Sequence, residues 1–322
     1  MSLLPVESAE RLAVRPEEHR WLVEGLWAEE AVGIVGGEPK CCKSFLALDV
    51  AVAVASGAPC LRHFAVRRPG RVLLYAAEDA LDVVRRRIDG ICRASGVAIA
   101  GLDLQVITAP SLRLDVEEDR RDLAETVAAL RPRLLVLDPF VRLHRIDENA
   151  SGEVAPLLAY LRDLQRRHQL AVVVVHHARK GAARVRAGQA LRGSSEFHAW
   201  GDSNLYVRRI GDQITLSVEH RAAASHAGIT VALRQSADAL ALDVVAHPAA
   251  ADPAPPGAPA GSPPPPHERV QRALAEAAQP LTVAALRAAC RIRTATLCEI
   301  LTDLVREGRV RRTAAGYVPN AA

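Results

Sequence analysis

The chain has 322 residues, 49% of them hydrophobic and 24% charged, with a formal net charge of +4. That is enough for one substantial domain and a small one, and the balance is that of a soluble globular protein. Every longer apolar stretch is cut by Arg, Asp or Pro before the ~18 residues a membrane span needs, and the first twenty residues lack a basic start followed by an apolar core, so neither a membrane span nor a secretion signal is expected and the expected location is cytoplasmic. The six cysteines show no CxxC pair and no companion histidine spacing, which leaves reduced thiols packed as small apolar groups rather than zinc ligands.

In chain order, apolar β-type runs at 31–35, 71–77, 103–108, 134–138 and 171–176 alternate with helical patterns at 43–56, 80–95, 117–130 and 153–168. Strands apolar on both sides and separated by helices predict a parallel sheet covered on both faces. The rhythm then changes: 203–209, 213–220, 229–234 and 239–245 follow one another across short polar turns, as an antiparallel meander added to the edge of the sheet would.

The segment 247–266 is rich in Pro, Ala and Gly and nearly uncharged, the composition of a semi-stiff linker. It divides the sequence into a domain over 1–246 and a smaller one over 267–322. Beyond it, Glu268–Ala277 and Thr282–Cys290 read as helices, and Thr294–Arg306 as a third with Leu297, Ile300, Leu301 and Leu304 on one face. Gly308 ends that helix and two short strands follow, the pattern of a winged helix-turn-helix. From His267 onward nine arginines stand against five acids, 9 − 5 = +4, so this tail carries the whole net charge. A polyanion partner is therefore expected here, with Arg291, Arg293, Thr294 and Thr296 at the recognition helix and Arg309, Arg311 and Arg312 gripping phosphates.

The chemistry lies between the first strand and first helix. Residues 37–44 read Gly37-Glu38-Pro39-Lys40-Cys41-Cys42-Lys43-Ser44, followed by Phe45, and fit the phosphate-loop pattern G-x-x-x-x-G-K-[ST] at every position but Cys42. Such a loop needs backbone N–H groups curled around phosphate oxygens, an ammonium for the β/γ-phosphates and a hydroxyl for Mg²⁺. Lys43, Ser44 and the helix start supply these, while Cys42 adds a Cβ where glycine lets the backbone come close. Of only three lysines in the chain, Lys40 and Lys43 are in this loop and the third is Lys180. Four apolar residues at 134–137 end in Asp138, the form of a strand presenting a carboxylate to Mg²⁺. Glu78 and Asp79 end another strand; Glu78 is the candidate base for activating water, and Asp79 the expected N-cap of the next helix. His176 and His177 end a third strand, placed to sense or polarise a γ-phosphate.

Taken together, GEPKCCKSFLALDVAVAVASG (37–57), LLYAAEDA (73–80), LLVLDPFVRLHRIDENASGEVAPL (134–157), VVVHHARKG (173–181) and LRGSS (191–195) resemble the RepA-type branch of the RecA-like ATPases, hexameric replicative helicase motors also called AAA family ATPases. The resemblance covers Trp21 to about Arg209. It implies an ATP-hydrolysing RecA-like α/β domain in which Lys43 binds phosphate, Ser44 and Asp138 hold Mg²⁺, Glu78 is the catalytic base and His177 meets the γ-phosphate side. Loops around Arg145–Gly152 and Lys180–Gln189 would face single-stranded DNA in the channel of a hexameric ring. The family's trans-acting arginine finger falls near Asp202, with Arg192, Arg208 and Arg209 closest, of which Arg192 is the candidate. Two other readings stay open: a DNA-binding adaptor whose altered loop binds ATP with little or no turnover, and an assembly that uses ATP only as an oligomer clamp.

Overall fold

The computed structural model describes residues 6–14, 16–177, 196–211, 213–236, 239–247, 266–275, 277, 279–290, 294–313 and 316–320. Contacts divide the chain into two units, Met1–Ala249 and Ala250–Ala322. Among the described residues no helix is long and apolar enough to cross a membrane.

The first unit opens with a small hairpin, β1 (Trp21–Val23) and β2 (Trp27–Ala28), which the sequence pattern does not announce. Trp27 is fully buried and its indole N–H donates to the Ala31 carbonyl at 3.2 Å, fixing the chain's entry into the sheet. Then come β3 (Val32–Gly37), α1 (Lys43–Ser56), β4 (Val72–Ala76), α2 (Leu81–Ala94), β5 (Leu104–Val106), α3 (Glu117–Leu130), β6 (Leu134–Asp138), α4 (Ser151–His168) and β7 (Ala171–His177). A short helix α5 (Glu196–Trp200) leads into β8 (Ser203–Ile210), β9 (Gln213–His220), β10 (His226–Ser236) and β11 (Ala239–Ala246).

All strands from β3 to β11 form one sheet of nine, ordered β11-β10-β9-β8-β3-β7-β6-β4-β5. The six from β8 to β5 in that order pair in parallel, and β8 to β11 pair antiparallel. This mixed α/β arrangement, dominated by parallel strands, is consistent with the expected RecA-like fold. Each central strand alternates between two cores because its side chains alternate between faces. Val72, Leu74, Leu134, Val136, Val173 and Val175 join α1 and α2 on one side; Leu73, Tyr75, Leu135, Leu137, Val172 and Val174 join α3, α4 and α5 on the other. A continuous apolar run is what burial on both faces requires.

The meander does more than extend an edge. Its first strand, β8, lies parallel and directly beside β3, so the strand that carries the phosphate-loop sequence is interior. A Cβ on Gly33 would lie 1.7 Å from the Ser203 carbonyl oxygen, and one on Gly37 2.2 Å from that of Val207, so glycine at both positions permits this pairing. At the opposite end β5 is shorter than the expected strand over 103–108: only Leu104–Val106 pair with β4. Helix α1 is apolar almost all round, and its one buried acid, Asp49, pairs with Arg62 at 2.8 Å; Arg62 in turn meets Asp243 of β11 at 2.7 Å. That linkage ties the back of α1 to the last strand of the sheet.

The second unit contains α6 (Pro266–Ala275), α7 (Val283–Cys290), α8 (Thr294–Arg306) and the antiparallel pair β12 (Val310–Thr313) and β13 (Gly316–Pro319). Leu297, Leu301 and Leu304 of α8 share a small core with Val270, Leu274, Leu286 and Val310, and Ile300 packs against it. Gly308, at φ 70°, ends α8 in the left-handed conformation glycine adopts freely. The stretch 248–265, nearly all of the expected linker, lies outside the described residues.

Candidate functional site

The parallel register brings the ends of four strands to one edge. Gly37 of β3 stands beside His177 of β7, and Ala76 of β4 beside Asp138 of β6. Loops leaving these strands at their C-terminal ends therefore surround one crevice, the place where open α/β sheets bind ligands. A cleft of about 370 Å³ lies there, lined by Lys40, Cys42, Lys43, Ser44, Phe45, Glu78, Asp79, Arg87, Asp138 and His177.

The loop from Gly37 to Cys42 turns twice through the left-handed region, at Lys40 (φ 63°) and Cys42 (φ 72°, ψ 25°). Cys42 adopts the conformation glycine serves at this point of the pattern, so its departure from that pattern is felt as backbone strain as well as an added Cβ. It is the N-cap of α1 and its side chain makes no cap hydrogen bond, so no side chain caps the first-turn N–H groups of α1 from that position. Lys43 is only 5% exposed; its Nζ donates to the Glu38 carbonyl at 2.7 Å and lies 3.9 Å from the Cys41 sulfur. Burial lowers the Lys43 pKa, with Cys41, Asp138 and Glu78 pulling the other way. Burial raises both thiols, and the nearby cations Arg209, Lys43 and Arg87 only partly offset this at Cys42.

Asp138 is pushed up from 3.8 to about 6, first by burial and then by the negative neighbours Asp79 and Glu78, against the opposing Ser44 hydrogen bond and Lys43 charge. The Ser44 hydroxyl and Asp138 carboxylate thus meet at the wall of the cleft, an oxygen-only donor pair in a negative environment. That chemistry suits Mg²⁺, which prefers one or two protein oxygens together with phosphate oxygens and water. Glu78 accepts a hydrogen bond from Arg142 Nε at 3.1 Å. Asp79 is paired with Arg87 of α2, whose guanidinium lies 5.2 Å from the centre of the Phe45 ring. The expected capping role of Asp79 is not what is found: the N-cap of α2 is Ala80, without a side-chain cap, and Asp79 is held by the arginine two turns along the helix. The Asp79 carboxylate is taken up by the Arg87 guanidinium, and the extended residue Ala80 stands at the cap position instead.

Of the residues expected from sequence, the structure gathers Lys43, Ser44, Glu78, Asp138 and His177 around this cleft, with Lys40, Cys42 and Phe45 in its wall. Gly37, Glu38, Pro39 and Cys41 complete the loop; Cys41 is buried behind it. The companion His176 faces away from the cleft, buried and stacked on Phe197 at 4.1 Å. Lys180 and Arg192 lie outside the described residues, as do Arg291 and Arg293. Thr294 and Thr296 are in the first turn of α8, Arg311 and Arg312 on β12, and Arg309 just before it; Arg309 and Arg311 are exposed. Arg208 and Arg209, at the end of β8, share the sheet edge with the loop, and the charge of Arg209 is felt by Cys42. Sequence reading missed Arg87 and Arg142. The first could have been found from its spacing, two helical turns after Asp79; the second has no signal beyond its closeness to Asp138.

A phosphate loop at the end of an interior parallel strand, faced by an acid from a neighbouring strand, defines a P-loop nucleotide-binding protein. Residues 2–183, more than half of the chain, match the family model AAA_25, described as an AAA domain, and the chain belongs to that family. Among solved structures it is similar to the crystal structure of the RadB recombinase, at 18% identity over 67% of this chain and 91% of that one, with a TM-score of 0.47.

Proposed function

We propose that the chain is a DNA-acting, ATP-hydrolysing motor of the RepA type. Residues 1–246 form its RecA-like ATPase, 247–266 a linker and 267–322 a winged helix-turn-helix, and it works as a cytoplasmic hexameric ring. The observation that carries this reading is the meeting of Lys43, Ser44, Asp138, Glu78 and His177 around one cleft.

In this reading the amides from Gly37 to Ser44 hold the β/γ-phosphates, and the Lys43 ammonium gives up the Glu38 carbonyl for phosphate oxygens. Ser44 and Asp138 would hold Mg²⁺, which supplies charge neutralisation on the phosphates when bound. Glu78 takes the proton of the attacking water as the γ-phosphoryl leaves ADP, and His177 donates towards the γ-phosphate. An arginine from a neighbouring subunit completes the site, with Arg192 as the candidate, so turnover depends on assembly. Single-stranded DNA runs past the loops at Arg145–Gly152 and Lys180–Gln189, and duplex is met by the tail, through Arg291, Arg293, Thr294 and Thr296 of the recognition helix and Arg309, Arg311 and Arg312 of the hairpin. The weakly hydrolysing adaptor is the second reading, favoured by the Cβ that Cys42 adds beside the phosphate path.

Phosphate release with and without single-stranded DNA tests the motor. The wild type should be stimulated by DNA, and Glu78→Gln should lose about 10²–10⁴-fold, the share of a general base. Equal rates for the two proteins would overturn the reading.

A further inference from the structure

Glu78 is not alone at the rim of the cleft. Arg142 Nε donates to Glu78 Oε1 at 3.1 Å, and the two side chains are 61% and 43% exposed. The backbone under Arg142 is firmly held. It closes the turn Phe140–Arg142 directly after Asp138, with Phe140 and Leu143 fully buried on either side. Phe140 sits edge-on to Phe197 at 5.0 Å, the Leu143 N–H donates to the Phe140 carbonyl at 2.8 Å, and Leu143 accepts from Leu114 at 2.6 Å. Two residues on, the Arg145 N–H meets Asp115 at 3.3 Å, and the chain then enters the exposed stretch that leads into α4. A rigid base thus presents a flexible guanidinium, wet on one side and bonded to a carboxylate on the other. Arg142 is not among the residues lining the nucleotide cleft.

We propose that Arg142 is a positioning residue that holds Glu78 in a resting state and surrenders it when a nucleic-acid phosphate takes the guanidinium. This rests on the ATPase reading above and deepens it by naming how a polyanion would reach the reacting end of the site. A carboxylate hydrogen-bonded to a guanidinium is turned from the water it would activate. Guanidinium binds phosphate in the same forked geometry in which it binds carboxylate, so a phosphate diester competes directly for it. Because the pair is exposed it is weak enough to be broken by such a competitor. Coupling of that size sets basal turnover by a few-fold and leaves the nucleotide's own contacts untouched.

The test uses the full-length protein as wild type, Arg142→Ala and Arg142→Lys, with ATP turnover measured with and without single-stranded DNA. Arg142→Ala is expected to raise DNA-independent kcat about 2–5-fold, the range an exposed ion pair supports, with KM for ATP unchanged. Stimulation by DNA should shrink by the same factor, and the lysine variant should fall between the two. The salt dependence of DNA binding should also lose one phosphate contact in Arg142→Ala, a slope smaller by about 1. Basal and stimulated rates indifferent to Arg142, or a basal rate that falls as it does in Glu78→Gln, would overturn the proposal while leaving the ATPase reading in place. A wild type with no Lys43-dependent hydrolysis would overturn both.

Discussion

Replacing Cys42 by glycine isolates the one position where the loop departs from its pattern. With φ 72° and ψ 25°, Cys42 is an L-residue in the left-handed region, a conformation that costs ~1–2 kcal/mol for a side chain with a Cβ. Glycine removes that strain, while its freer unfolded chain returns ~0.5–1 kcal/mol. The net expectation is a fold more stable by about 0.5–1 kcal/mol. At ~2–4 °C per kcal/mol for a domain of this size, Tm rises by roughly 1–4 °C in a thermal melt without nucleotide. Cys42→Ala is the control, because it deletes the thiol yet keeps the Cβ and its strain, and its Tm should stay at the wild-type value. Affinity for Mg·ATP should rise in the glycine variant alone, because wild type and the alanine control both keep the Cβ where the backbone approaches phosphate. If alanine raised Tm as much as glycine, or glycine lowered it, the backbone argument would be wrong and the sulfur itself would be the important feature.

Asp138→Asn should change stability in a pH-dependent way. The carboxyl is raised from 3.8 to about 6 in the fold, so the penalty for its charge is absent below pH ~4, grows through the window between, and is complete above about pH 6, at on the order of 2–3 kcal/mol. Urea unfolding of the nucleotide-free proteins should therefore show the asparagine variant the more stable at pH 7.5, the gap reduced to about 1 kcal/mol at pH 4.5, and the two close to equal near pH 3; a gap independent of pH would contradict the assignment. In the tail, Arg311→Ala should weaken DNA binding evenly across sequences and lower the slope of log K against log salt by about 1, and a filter-binding series from 50 to 200 mM salt would read it; an unchanged slope would remove Arg311 from the DNA contact.

The large unit was legible because its strands are apolar on both faces. Val172, Val173, Val174 and Val175 feed two cores in turn, and a run of that kind separated by amphipathic helices has few other solutions. Helices α1, α3 and α8 begin and end at the residues their patterns gave, 43–56, 117–130 and 294–306. The hairpin at Trp21–Ala28 was hidden, since two- and three-residue strands have no period to detect. The insertion of β8 against β3 was hidden too, because strand order depends on close backbone approach at Gly33 and Gly37 and not on either strand's own alternation. At the site, residue types and spacing located the loop, Glu78, Asp138 and His177, all at strand ends. They could not show that Glu78 and Asp79 are held by Arg142 and Arg87, contacts made through side chains distant in sequence or reaching back along a helix. Nor could the identity of Cys42 reveal its left-handed backbone, which is set by the loop's closure onto α1.

The account stands on the loop from Gly37 to Ser44 gripping a triphosphate, and calorimetric titration of Mg·ATP into the wild type and into Lys43→Ala tests it most directly. Saturable binding in the wild type, lost or weakened by at least tenfold in the alanine variant while both proteins melt cooperatively, is the predicted result. Binding of equal strength in the two, or none in either, would contradict it.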